Sequence, residues 1–201
     1  AGKAFRSVTV VRPDNVLFLE EILIWLRLQG VSAADLSLDL WAKWSCDDMP
    51  RLAAGLEGAA RFWWDSVPDF PVSWFDGATA GLTDIPKYSC ARCAYGDGEV
   101  AVAPSGRLYP CERLIGEDRE DNRSQLSEDL FGRDDFIRHQ APAGRDHPAC
   151  NSCLGAEACN TTCRCSNFIR TGEERTPDRL LCAVNQYCWE SVSKCFLSVP
   201  T

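Results

Sequence analysis

The spacing of its cysteines constrains this chain more than any other feature. Of twelve cysteines in 201 residues, eleven lie beyond residue 86. Seven of them form one series: Cys93, Cys111, Cys150, Cys153, Cys159, Cys163 and Cys182. It is written C-x12-G-x4-C, a gap, C-x2-C-x5-C-x3-C, a gap, and a last C, with Gly106 as the glycine. Thiolates are the natural ligands of soft metal centres, so this many at such offsets points to inorganic ligation rather than to packing alone.

Composition narrows the class further. Hydrophobic residues make up 45% of the chain, enough to bury a core, and the formal charge of -8 lacks the basic excess that tracking phosphates requires. Nucleic acid is therefore not an expected partner. No apolar run is long enough to span a bilayer; the longest helix-like stretch carries Glu20, Glu21 and Arg27. With no charged-then-apolar leader in view, the expected location is the cytoplasm, where grouped cysteines are more often metal ligands than disulfides. The opening Ala1-Gly2-Lys3 has no initiator Met, which leaves the native start open.

The first 85 residues read as α/β. Ser7–Val11 is β-branched and short, a strand pattern. A helix is expected over 15–29, closed by Gly30, with Val16, Leu19, Ile22, Leu23 and Leu26 at helical spacing. Leu17, Phe18, Ile24, Trp25 and Leu28 add apolar surface on its other sides, so it needs more than one packing partner. Leu36–Leu40 alternates as a second strand. Ser45 or Asp48 can cap a helix to about Trp64, with Leu52, Leu56, Ala60 and Trp63 on one face. Val72–Phe75 reads as a third strand. This rhythm is that of a parallel sheet. Three strands fall short of a full barrel of roughly 250 residues. The expected architecture is thus a partial (βα) barrel segment over 1–85, its front half lying elsewhere; the alternative is a complete three-strand α/β layer. An irregular cysteine-rich module over 86–201 follows, with a β-hairpin and a C-terminal helix.

Within that module, 99–103 and Arg107–Tyr109 flank Pro104-Ser105-Gly106, a hairpin with a turn glycine. Hairpin closure brings Cys93 and Cys111 toward each other. Turn-forming Asn151, Ser152, Gly155 and Asn160 surround Cys150, Cys153, Cys159 and Cys163, as converging thiolates require.

The series and the phrase Val102-Ala103-Pro104-Ser105-Gly106-Arg107-Leu108-Tyr109-Pro110-Cys111 resemble the SPASM domain. That domain is the C-terminal extension of radical S-adenosylmethionine enzymes that modify peptides and proteins. The resemblance covers about residues 86 to 190; the first segment is similar, more weakly, to the later βα units of the family's barrel. It implies two auxiliary [4Fe–4S] clusters that carry electrons or place a peptide or protein substrate. Carried over by position, Cys93, Cys111 and Cys163 hold the first, with Cys90 as candidate fourth ligand. Cys150, Cys153, Cys159 and Cys182 hold the second. The barrel's own C-x3-C-x2-C motif is absent. The chain alone is therefore not expected to cleave S-adenosylmethionine, and a partner chain or missing half would supply that chemistry.

Rival readings use the same residues. Zinc accepts four thiolates at similar offsets and would make the module a stapled domain that recruits a peptide to a separate enzyme subunit; disulfides are the third option. Cys165 is an alternative to Cys163, and Cys188 to Cys182. Cys188 and Cys195, seven apart on a C-terminal helix, are expected in a core, and Cys46 is expected as a small buried hydrophobe. His139, His147, Asp134, Asp135 and Asp146 are expected in polar loops, and 116–123 as a solvated connector. Arg107, Tyr109 and Arg113 either serve the site or stand as exposed hairpin side chains, the preferred expectation.

Overall fold

The computed structural model describes residues 4–82, 100–121, 148–153, 159 and 163–198. They fall into two compact units. Helix and strand are mixed, and the strands form two small sheets. Among the described residues no helix is long and apolar enough to cross a membrane.

The first unit contains residues 4–82 and 178–198, with 152–153 and 159. Strand β1 (Arg6–Val11) leads through a 3-10 turn, Val16–Phe18, into α1 (Leu19–Leu28) and then β2 (Ala33–Leu38). The two strands pair in parallel, from Arg6 opposite Ala33 to Val11 opposite Leu38. Helix α2 (Asp48–Ser66) follows. The Asp48 carboxylate reaches back to the Ser45 N–H and hydroxyl at 2.8 and 2.7 Å, which fixes the entry turn.

The third expected strand does not form. Val72 makes a single parallel bridge to Ala34, and helix α3 (Ser73–Leu82) begins at the next residue. The Val72 carbonyl is taken at once by the N–H groups of Phe75 and Asp76, and the Ser73 hydroxyl accepts from the Leu36 N–H in place of a strand carbonyl. Side chains of this segment turn with the helix, which commits it to one bridge rather than a ladder.

The core of this unit joins Val11, Val16, Leu19, Leu23, Ala34 and Leu36 to Leu52, Leu56, Ala60 and Trp63 of α2. Its last layer comes from α6 (Arg179–Leu197), capped by Asp178, whose carboxylate accepts the Leu180 N–H. Val184, Cys188, Val192 and Cys195 recur along one face and are buried against the first segment's helices. A compact unit cut at residue 85 would leave this apolar stripe bare, which is why the unit takes its final helix from the far end of the chain.

Sheet alternation puts Val8 and Val10 on the face away from that core, where they are 72% and 48% exposed. Trp25 and Leu28 of α1 are exposed as well. The many-sided apolar character expected of this helix is present, and only one side of it is covered among the described residues.

The second unit contains 100–121, 148–151 and 163–177. Strands β3 (Ala101–Val102) and β4 (Leu108–Tyr109) pair antiparallel. The turn closes through Gly106 N–H to the Ala103 carbonyl and Ala103 N–H to the Arg107 carbonyl, each 2.9 Å. Gly106 has φ +85°, a conformation that strains any side chain. A 3-10 turn (Glu112–Leu114) and the helices α4 (Pro148–Asn151) and α5 (Arg164–Thr171) complete it.

Candidate metal centre

The hairpin and α5 deliver three thiols to one place. Cys111 follows β4 after Pro110 and occupies the N-cap position of the 3-10 turn; Cys163 occupies that of α5, and Cys165 lies in its first turn. All three belong to an apolar cluster with Ala103, Tyr109 and Leu114, bordered by Phe168 and Ile169. The Cys163 and Cys165 sulfurs are 3.2 Å apart. Cys165, only 2% exposed, also hydrogen-bonds to the Cys111 thiol.

Electrostatics divide the pair. The hydrogen bond from Cys165 brings the Cys163 thiol down to about 5, helped by the Ser166 hydroxyl at 3.1 Å, the Ser166 N–H and the Arg113 guanidinium. The lowering favours the thiolate of Cys163, the form that binds metals. The same hydrogen bond, with burial, pushes Cys165 up and keeps it protonated.

A polar brace ties the hairpin that leads to Cys111 to the connector after it. The Asp118 carboxylate accepts from the Ser105 N–H at 3.0 Å and from its hydroxyl at 2.7 Å. Arg107 donates to the Asp118 carbonyl at 2.9 Å, and the Tyr109 hydroxyl faces the Asp118 carboxylate at 3.4 Å. These bonds hold the Asp118 carboxyl below its ordinary range, the Ser105 hydroxyl contributing most. Tyr109 is fully buried and the Arg107 side chain is mostly covered, which corrects the expectation of exposed hairpin side chains. Arg113 is exposed. The connector is solvated as expected at 116, 117 and 119–121, but Asp118 anchors it.

The remaining expected ligands are less assembled. Cys150 lies on α4 in the second unit; Cys153, Cys159 and Cys182 belong to the first. Cys153 and Cys182 are exposed and Cys159 is half-buried. Among the described residues no three or more His, Cys, Asp or Glu side chains are already arranged to hold a metal ion. Cys90, Cys93, His139, His147, Asp134, Asp135 and Asp146 lie outside the described residues. Cys188 and Cys195 are buried in the core of the first unit, where burial pushes both thiols up, as packing residues. Cys46 is exposed, not buried: it precedes α2 in a loop and offers its carbonyl to the Met49 N–H.

The trio gathers soft sulfur donors beside apolar side chains, with the Glu112 carboxylate 3.6 Å from the Cys111 sulfur, but it is not by itself arranged to hold a metal ion. Sequence reasoning reached Cys111 and Cys163 by spacing. Spacing could not reveal that Cys165 lies between them, or that Asp118 braces the hairpin. In comparisons with known proteins, no family model matches the chain and no curated protein aligns with it significantly.

Proposed function

We propose that this chain is the auxiliary iron–sulfur-binding part of a radical S-adenosylmethionine enzyme that modifies a peptide or protein. The observation that carries the reading is the meeting of Cys111 with the Cys163 pair at the foot of a hairpin turned by Gly106. Those cysteines are distant in sequence, and the resemblance assigns Cys111 and Cys163 to one cluster.

Cys90 and Cys93 would complete the first centre, and Cys150, Cys153, Cys159 and Cys182 would hold a second. Such clusters supply one-electron transfer when bound. The chain's own residues then have definite tasks. The Asp118 brace holds the hairpin that leads to Cys111, and Arg113 with Ser166 stabilises the charge on the Cys163 sulfur. The apolar wall limits water access to the sulfurs, and hydrogen bonds to a ligand sulfur tune a centre's potential.

The one-sided sheet supports the partial-barrel reading. Parallel sheets are normally covered on both faces, yet Val8 and Val10 of β1 are exposed. An N-terminal barrel half, in the same polypeptide or a partner chain, would cover that face and bring the missing C-x3-C-x2-C motif. S-adenosylmethionine belongs to that half, and the expected setting is the cytoplasm.

One observation favours the zinc-stapled recruiting module instead. The 3.2 Å between the Cys163 and Cys165 sulfurs lies closer to the edge of a single tetrahedral thiolate site, about 3.8 Å, than to the wider spread of thiols around a four-iron cube. Anaerobic purification with metal and acid-labile sulfide analysis separates the two. Cys111→Ala and Cys153→Ala should each remove about half of the roughly eight irons that two four-iron clusters hold. Iron content unchanged in both variants refutes the ligand assignment. A colourless protein holding one or two zinc ions supports the stapled module.

A further inference from the structure

We infer that Cys163 and Cys165 are a redox pair: in the metal-free chain a hydroperoxide joins them in a disulfide, which withdraws Cys163 from metal ligation. The pairing itself rests on the geometry of α5; only its effect on ligation rests on the metal-binding reading above. It gives Cys165, which the assigned ligand set leaves unused, a task of its own.

Side chains two apart within a helix do not face each other. These two do, because Cys163 is the N-cap residue of α5, with ψ 103° in the extended region, and the helix begins only at Arg164. The extended ψ swings the Cys163 side chain out of helical phase, and the two sulfurs stand 3.2 Å apart. The Cα separation across one residue is set by that residue's own dihedrals, so a helical Arg164 holds it at about 5.4 Å. Disulfides span Cα separations of about 4.4–6.8 Å, with the sulfurs about 2.05 Å apart. Closure therefore asks the sulfurs to approach by about 1.2 Å, a step small enough for side-chain rotation.

Exposure divides the roles. Cys163 is half-buried and Cys165 is only 2% exposed, so a small oxidant meets Cys163 first. The Ser166 hydroxyl donates to the Cys163 sulfur at 3.1 Å and supports negative charge there. The Cys163 thiolate attacks one oxygen of the hydroperoxide; the O–O bond breaks, and the other oxygen leaves as water or an alcohol after taking up a proton. Cys163 is then a sulfenic acid. The adjoining Cys165 sulfur attacks it, the S–S bond forms, the S–O bond breaks, and hydroxide leaves as water with the Cys165 proton. Two electrons have passed from the two thiols to the peroxide. Since the thiolate is the metal ligand, the disulfide removes Cys163 from the donor set until it is reduced.

The test treats the full chain, reduced and freed of metal without oxygen, with an equivalent of hydrogen peroxide. Remaining thiols are alkylated, and trypsin cuts after Arg164, so a Cys163–Cys165 disulfide holds two peptides together until it is reduced. That link should form ahead of any loss at the exposed thiol of Cys46, the internal comparison. Cys165→Ser should instead leave a sulfenic acid at Cys163 that dimedone traps. Both thiols still reduced after treatment, or Cys165 joined to Cys111, overturns the pair. Cadmium(II) alone, titrated without reductant, then reads ligation through its thiolate absorbance. The oxidised chain should saturate at a lower absorbance than the reduced chain. Equal plateaus overturn the effect on ligation and leave the disulfide standing. A reduced chain that takes up no cadmium overturns the metal-binding reading, and the mapped disulfide stands without it.

Discussion

Replacing Gly55 with alanine should destabilise the first unit, against the ordinary trend for a helix. Alanine in a helix interior is worth about 1 kcal/mol over glycine. At Gly55, however, a Cβ would lie 2.0 Å from the Val16 carbonyl oxygen and 2.8 Å from its carbon. Both are backbone atoms of the 3-10 turn that feeds α1, so no rotamer change relieves the clash. Non-bonded heavy atoms settle roughly 3.5 Å apart, so α2 and that turn must separate by about 1–1.5 Å. Overpacking of this kind costs about 1–3 kcal/mol. Because the clash is against backbone, the upper half of that range applies, and after the helix gain the net loss is about 1–2 kcal/mol. For a chain of this size that lowers the melting temperature by roughly 2–8 °C. Gly58, one turn later, is the internal control. Its added Cβ would meet the Glu20 Oε2 at 2.7 Å, the far end of a flexible side chain that can swing aside. Gly58→Ala should therefore keep most of its helix gain and melt at or above the wild type. Thermal unfolding followed by circular dichroism reads both. A Gly55→Ala protein that melts at or above the wild type would refute the close approach of α2 to the 3-10 turn.

Other outcomes follow from the site. In the reduced, metal-free chain, Cys163 should alkylate with a midpoint near pH 5, and Arg113→Gln should move that midpoint upward; pH-resolved labelling with peptide mapping checks it, and an ordinary thiol profile contradicts it. The Asp118 carboxyl is held below its unfolded value, so its contribution is present above the ordinary carboxylate range and is lost as pH falls through its folded pKa. Asp118→Asn should flatten the acid limb of stability without changing the neutral-to-alkaline limb, measured by denaturant titration across pH. Cys182→Ala should lower metal content while Cys188→Ala leaves it unchanged, because Cys188 is packed in the core.

Much of the fold could be read from the residues because local rules governed it. The β-branched run at β1, the helical spacing of α2 and the Pro104-Ser105-Gly106 turn each encode their own geometry, whereas the second strand, expected over Leu36–Leu40, runs over Ala33–Leu38. Val72–Phe75 misled because β-branched and aromatic residues also suit a buried helix start, and Ser73 and Val72 supplied the hydrogen bonds that began one. The place of α6 was hidden for a different reason. Its apolar stripe announces that it is buried but not against what, and its partners lie more than a hundred residues earlier. At the site, spacing put Cys111 and Cys163 in one series, and the resemblance, not any local offset, assigned them to one centre. Cys165 and Asp118 depend on how the hairpin meets α5 and the connector, a tertiary fact that no offset carries. Cys46 shows the limit of treating cysteine as a hydrophobe: its loop position, not its type, decides its exposure.

The most direct test of the account is the iron and acid-labile sulfide content of the wild-type chain, prepared and measured without oxygen. The account predicts a brown protein with roughly eight irons and matching sulfide per chain. A pale, iron-free protein, or one whose Cys111, Cys163 and Cys165 thiols are joined in disulfides as isolated, contradicts it.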